Sequence, residues 1–495
     1  MRTGTDGRVY VAQVSGSQIS AVDINTGAVE TISPKGGDII APDDIAFDDQ
    51  GNIFATEITE GRVSVFRPNG TAQVVCGDMP SANPITIYKG RLFAGECRPG
   101  GRIMELDLSG GAPRVILENV PMPNAMEVGP DGLLYIPIMG TNEIWRVSLE
   151  GGEPEVVAKD LGVPDAVKFD AEGFIVSTQV ASGQVLRINP NTGERKVLAT
   201  IAPGLDNLTF VDGRIVVSSI SGQINEILAN GEIRSIVPDG FNWPLGLAFC
   251  SDGTLFVADG GFSYALPIGG QPQCLGMFFY PGYPGYVRGV LESAPGEFVV
   301  TTSNGTVCRW TPATQTSEVL AEGYDRLYGV AQGGNGELIF VDAAKGEVFA
   351  LASGKVESIA TGLNEPLGVT VAHNGSCYVS EEGAGRVVKI TNAGAEPVLD
   401  GLIKPQGILA VGDDLFIVDA GSKELIKLNL NSGARDVIAS DLPVGAPEGV
   451  VPKFLNAIPP LAGPMGPFAD ITCAPDGTLY LSGDADGTVL AIKSI

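Results

Sequence analysis

A chain of 495 residues with 31 basic and 58 acidic side chains carries a formal charge of −27. That charge disfavours nucleic acid and anionic membranes as partners and favours cations and small neutral or weakly charged substrates. Glycine (67) and proline (34) are abundant while 44% of residues are apolar, which describes a turn-rich, mostly β globular protein of two or more domains and excludes a disordered one.

The only histidine, His373, leaves no room for a mechanism that needs a His pair or a His-rich metal centre. The opening segment MRTGTDGRVYVAQV lacks an apolar core of signal-peptide length, and no stretch approaches the roughly 18 apolar residues of a membrane span. The cysteines at 76, 97, 250, 274, 308, 377 and 473 are scattered, odd in number and never spaced as CxxC. This usage points to reduced thiols in a cytoplasmic setting, most of them small apolar core residues.

One phrase recurs along the chain: a proline-containing approach, a short apolar stretch, a glycine turn and a second apolar stretch. It reads PDDIAFDDQGNIFATE, PNAMEVGPDGLLYIP, PDAVKFDAEGFIVST, PLGLAFCSDGTLFVAD, PLGVTVAHNGSCYVSE, PQGILAVGDDLFIVD and FADITCAPDGTLYLSG. Anchored on Ile45, Ile85, Met126, Val167, Leu208, Leu247, Val290, Val330, Val369 and Ile408, the copies are 40, 41, 41, 41, 39, 43, 40, 39 and 39 residues apart. Each unit reads as about four short alternating strands joined by tight turns, the pattern of a propeller blade. Helical solenoids share the period but need long helical patterns, which are missing. Twelve blades exceed the usual ring of four to eight, so the expected fold is all-β, as two tandem six-bladed β-propellers, residues 1–239 and 240–495.

At the start of the chain, RVYVAQ, SQISAVD and AVETIS read as the outer three strands of a first blade without an innermost strand. The last unit, from Phe468, supplies three strands and lacks its outermost one. Between Ile408 and Ile471 lies APEGVVPKF, with Val450 on the repeat period, 42 residues after Ile408. Two readings stand: residues 446–453 cross back as the missing inner strand of the first propeller, or they belong to a proline-rich surface insertion.

Inner strands line the channel of a propeller, so the residues two before each anchor should form a ring at its mouth. In the first half these are Asp43, Asn83, Asn124, Asp165 and Asp206. In the second they are Leu245, Arg288, Tyr328, Leu367, Gln406 and Ala469. Turn chemistry favours Asx residues after proline, but it should act equally in both halves. The asymmetry points to a functional cluster in the first propeller. Carboxylate and amide oxygens without nitrogen or sulfur suit one hard divalent cation, Ca²⁺ first, with Mg²⁺, Mn²⁺ or Zn²⁺ as alternatives.

The same residues carry a resemblance. PDAVKFDAEGFIVSTQVASGQVLRINPNTGERK resembles the PDG-x-x-x-D-x-x-G…G-x-V-x-R-x-x-P-x-T-G segment of the gluconolactonase/regucalcin family of six-bladed metal-dependent hydrolases. PNAMEVGPDGLLY is similar to that family's NGL-x-x-SPDG-x-x-LY segment, and SANPITIYKGRLFAGE to its FNDG-x-x-x-x-x-G-x-x-x-AGT segment. The resemblance covers roughly residues 40–240, and the second half reads as a divergent propeller. It implies that Asn124 and Asp165 are metal ligands and that Asn83 touches substrate or metal-bound water. It further implies a glutamate ligand on the first blade, which Glu448 supplies if its segment crosses back; otherwise Asp43 or Glu57 is the third ligand. The chain departs from the family where Ala125, Ala166 and Pro84 follow these residues, and where Ser81 and Ala82 replace the arginine before the substrate asparagine.

His373 falls in a hairpin turn opposite the channel mouth, which counts against a triad or a His-based lyase of the streptogramin type. MFFYPGYPGYVRGV brings Tyr280, Tyr283, Tyr286 and Arg288 to blade eight, as a lid, a second site or aromatic packing at a domain interface. The leading expectation is a hydrolase of a lactone or related cyclic ester. Asp165 would act as ligand and base, Asn124 would complete the coordination, Asn83 would orient substrate, and Asp43 and Asp206 would line the mouth. A metal-assisted lyase or isomerase at the same site, and a non-catalytic ligand- or protein-binding propeller pair, are the alternatives.

Overall fold

The computed structural model describes residues 1–238, 240–447, 449–450 and 455–493. Among them, eleven four-stranded antiparallel sheets and one three-stranded sheet follow one another along the chain. The protein is all-β, two tandem six-bladed propellers. Two compact units emerge, one of Met1–Gly240 with Val450–Pro460, the other of Phe241–Gly449 with Leu461–Ile495. No helix among the described residues is long and apolar enough to cross a membrane. All seven cysteines are free thiols; Cys97, Cys250, Cys308 and Cys377 are buried and Cys274 is exposed.

The fifth blade shows why these residues make these strands. Pro164–Phe169, Ile175–Gln179, Gln184–Ile188 and Arg195–Thr200 pair in that order. The first hairpin turns at Gly173, whose φ of 80° suits glycine. Asp170 Oδ1 closes that turn by accepting from the Glu172 and Phe174 amides. Val176 and Val185 leave one face of the sheet to pack with Leu205, Leu208 and Val217 of the next blade. The core therefore lies between blades, and each fully buried valine or leucine there contributes roughly 1.5–3 kcal/mol.

Two recurring polar devices set the inner strands. A hydroxyl on the second strand accepts from an inner-strand amide of its own blade and donates to an inner-strand carbonyl of the next. Thr56 bonds Asp44 N at 3.0 Å and Asn83 O at 2.8 Å, and Thr178 bonds Ala166 N at 3.2 Å and the Asp206 carbonyl. At the end of the second strand an acid holds the loop leading into the inner strand. Examples are Asp259 with the Asn242 and Trp243 amides and Asp419 with those of Ile403 and Lys404.

The first blade differs from its expected form. Its innermost strand is Arg2–Thr3, paired with Val9–Gln13 through Arg2↔Tyr10 and Thr3↔Val9. Thr3 closes the ring against the sixth blade: its amide donates to Thr209 Oγ1 at 3.1 Å and its hydroxyl to Phe210 O at 2.8 Å. The slot is thus filled without residues 446–453. Of that segment, the described residues 446, 447, 449 and 450 lie outside strands, and Glu448 falls outside the described residues. The chain does return to the first unit at Val450–Pro460, where Asn456 Nδ2 donates to Glu60 Oε1 at 3.1 Å.

The second ring closes between its last sheet and Pro244–Phe249, through Leu247 N to Asp470 Oδ2 at 3.1 Å and Phe249 N to Thr472 Oγ1 at 3.2 Å. The last sheet has three strands among the described residues: Ile471–Cys473, Leu479–Gly483 and Thr488–Ile492.

Candidate functional site

Asn83, Asn124 and Asp165 are all buried where their inner strands begin, and Asp43 and Asp206 are half-buried at the same position of theirs. Asn124 and Asp165 meet directly, Nδ2 donating to Asp165 Oδ2 at 2.9 Å. The Ala125 amide donates to Asn124 Oδ1 at 2.8 Å, which sets the amide orientation, since exchanging oxygen and nitrogen would oppose two donors. Met139 Sδ lies 3.0 Å from Asn124 Nδ2. One position further along, Asp44 and Asn207 are buried as well, with Asn207 Nδ2 donating to Asp44 Oδ1 at 3.3 Å.

These acids crowd one another. Burial, then the charges of Asp206, Asp43 and Asp44, push the Asp165 carboxyl well above the usual carboxylate range. Burial, Asp206 and Asp44 do the same to Asp43, and burial raises Asp206. The Met1 α-ammonium, 3.6 Å from Asp44 Oδ1, pulls all three the other way. The Cys97 thiol is raised by burial and by Asp43 and Asp165, so it too borders the cluster.

Carboxylates that resist ionising together suit a cation, and the amide oxygens add to that fit. Asn83 Oδ1 is buried with no hydrogen-bond partner, a costly state that a ligand would relieve. Among the described residues no three Asp, Glu, His or Cys side chains stand closely enough to ligate one ion. An ion here would combine carboxylate with amide oxygen, a hard donor set. Glu57 is committed elsewhere. Its carboxylate accepts from Ile40 N at 2.7 Å, from Arg62 at 2.9 and 2.7 Å, and from Ser64 Oγ.

A second polar cluster was not anticipated. Lys168 Nζ and Arg2 Nη1 each donate to Glu127 Oε2 at 2.8 Å, and Thr86 Oγ1 donates to Oε1 at 3.2 Å. Thr86, Glu127, Lys168 and Thr209 sit three residues beyond Asn83, Asn124, Asp165 and Asp206. In a regular strand an odd spacing points side chains to opposite faces. Here the pairing register shifts between Pro164 and Val167, and likewise between Leu205 and Leu208. Such bulges absorb one residue, so both positions turn to the channel. The signal was present in the sequence as charges inside the apolar strands of MEV and VKF.

In the second propeller the corresponding residues are buried but differently employed. Arg288 donates to Leu327 O at 3.0 Å and to Pro464 O, and lies 4.4 Å from the Tyr328 ring centroid. Gln406 accepts from Ala469 N at 2.7 Å. The tyrosine run packs inside this unit: Tyr283 stands edge-on to Trp310 at 5.3 Å and Tyr286 to Trp243 at 6.4 Å. His373 is exposed, with Nδ1 3.1 Å from Gly412 O.

No protein-family model matches the chain, and no curated protein matches it. Solved structures with fold similarity include a chain of the nidogen/laminin complex, at 18% identity and a TM-score of 0.42, covering 47% of this chain and 93% of that one. A gluconolactonase from Xanthomonas campestris matches at 17% identity and a TM-score of 0.36, covering 43% and 81%. Virginiamycin B lyase from Staphylococcus aureus matches at 18% identity and a TM-score of 0.21, covering 60% and 90%.

Proposed function

We propose that the first propeller is a metal-dependent hydrolase that opens a lactone or related cyclic ester at its acidic channel mouth. The observation that carries this reading is the Asn124–Asp165 hydrogen bond set among Asp43, Asp44 and Asp206. A divalent cation, Ca²⁺ first, would be held by Asp165 and Asn83 Oδ1 with at most one neighbouring carboxylate; when bound it supplies carbonyl polarisation and a more acidic water.

The residues divide the remaining work. Asn124 holds Asp165 Oδ2, which restrains the carboxylate and leaves Oδ1 available to a ligand. Asp165, held in place by Asn124, would take the proton of an attacking water and return it to the departing ring oxygen. Asn83 Oδ1 has an open acceptor position for a substrate hydroxyl or for the ion. Asp43 and Asp206, half-buried, line the approach.

The test is a pH-indicator assay over a panel of lactones, with and without chelator. Acid release that stops on chelation and returns with Ca²⁺, with a product heavier by one water, is the expected result. A product of unchanged mass would assign a lyase or isomerase instead, and no turnover of any lactone would refute the hydrolase reading.

A further inference from the structure

Beyond the acidic mouth, a cavity of about 480 Å³ opens on the first propeller, with Arg2, Thr3, Tyr88, Lys168, Phe169 and Phe210 in its wall. Its polar floor is the Arg2–Glu127–Lys168 cluster, displaced from the acidic ring by three residues along the same strands, roughly 7–10 Å of rise. The channel thus has an acidic end and an end with two cations and one carboxylate. In a chain of net charge −27 this is a local reversal of sign.

The cations are fixed in place but not saturated. Arg2 donates through Nε to Ile45 O, through Nη2 to Ile85 O at 2.7 Å and through Nη1 to Glu127. Three of its five N–H groups are thereby used among the described residues. Lys168 uses one of its three, on the same Glu127 oxygen. Both side chains are mostly shielded from solvent, with 15% and 9% exposure. Burial and the charge of Arg2 hold the Lys168 ammonium below its ordinary range despite Glu127, so the second positive charge is under-compensated.

We propose that this cavity is a binding site for a small organic monocarboxylate with a flat or apolar body. The carboxylate takes the remaining Arg2 and Lys168 N–H groups, and the body lies against Tyr88, Phe169 and Phe210. One negative charge neutralises the cluster, whose sum is +1. A phosphate dianion would leave an excess negative charge beside Glu127, and a neutral ligand would leave the second cation as under-compensated as before. Charge-assisted hydrogen bonds from a shielded arginine and lysine are the strong kind.

Titration calorimetry of the whole chain with benzoate, benzamide and inorganic phosphate at low ionic strength tests the site. Benzoate should bind one to one, with benzamide and phosphate each weaker by about tenfold or more. Lys168→Met should weaken benzoate by a similar factor without changing benzamide. If that variant does not fold, the wild-type comparison and the weakening of benzoate by added salt decide alone. Benzamide or phosphate binding as tightly as benzoate, no benzoate binding, or full binding by a folded Lys168→Met protein would overturn the proposal.

Discussion

Glu127→Gln isolates the energetics of the charged cluster in the first propeller. Burial alone would raise the Glu127 carboxyl, but Lys168 and Arg2 outweigh it and hold it at about 2, against 4.5 for a free glutamate. That fall corresponds to about 3 kcal/mol of preference for the ionised form in the folded state. Lys168 offsets part of this, because burial and Arg2 depress its own ammonium, so about 3 kcal/mol is an upper bound for the pair. Glutamine keeps the shape but leaves two shielded cations facing each other, the arrangement that makes breaking a buried pair expensive. Because the folded value lies below the unfolded one, the stabilisation is complete above pH 4.5 and is lost as pH falls toward 2. Urea unfolding should therefore show the variant less stable by ~2–3 kcal/mol across neutral pH, with the gap closing below pH 4.5. A gap under ~0.5 kcal/mol, or one that widens in acid, would refute this reasoning.

Asp165→Asn should act in the opposite sense when chelator is present. The folded-state carboxyl is raised, so ionising it costs stability, a cost absent below the ordinary aspartate value and growing as pH rises toward the raised one. The variant should melt higher than wild type in mildly alkaline buffer and alongside it in acid; equal melting at every pH would remove the electrostatic premise of the site. Thr178→Val removes the hydroxyl that joins Ala166 N to the Asp206 carbonyl. It should cost roughly 1–3 kcal/mol for each group left unpaired, read by thermal unfolding, and a neutral substitution would mean that the hydroxyl bridge does not hold the inner strands.

The blades were legible because their signal is repeated: an apolar alternation and a glycine turn about every 40 residues survive individual exceptions. Asn124 and Asp165 were legible for the same reason, since their position could be counted from the anchors Met126 and Val167. Arg2–Thr3 was not, because a two-residue strand of polar residues carries no alternation, and its pairing is settled by Thr209 and Phe210 far along the chain. Glu127 and Lys168 were hidden by the register shifts before them, between Pro164 and Val167 for Lys168 and between the Pro123↔Ile138 bridge and the Glu127↔Tyr135 pair for Glu127: period-two counting sends them away from the channel, and the bulge brings them back. Asp44 and Asn207, next to their ring positions, were missed because the count took one residue per strand where the bulge buries two.

The most direct test of the central claim is the divalent metal content of the purified chain, measured by mass spectrometry beside that of Asp165→Ala after dialysis against equal Ca²⁺. About one equivalent in the wild type and almost none in a folded variant is the expected result, since the substitution removes a charged oxygen ligand from a site whose affinity depends on ligand charge. No retained metal in the wild type, or the same content in both proteins, would contradict the assignment of the acidic mouth as a cation site.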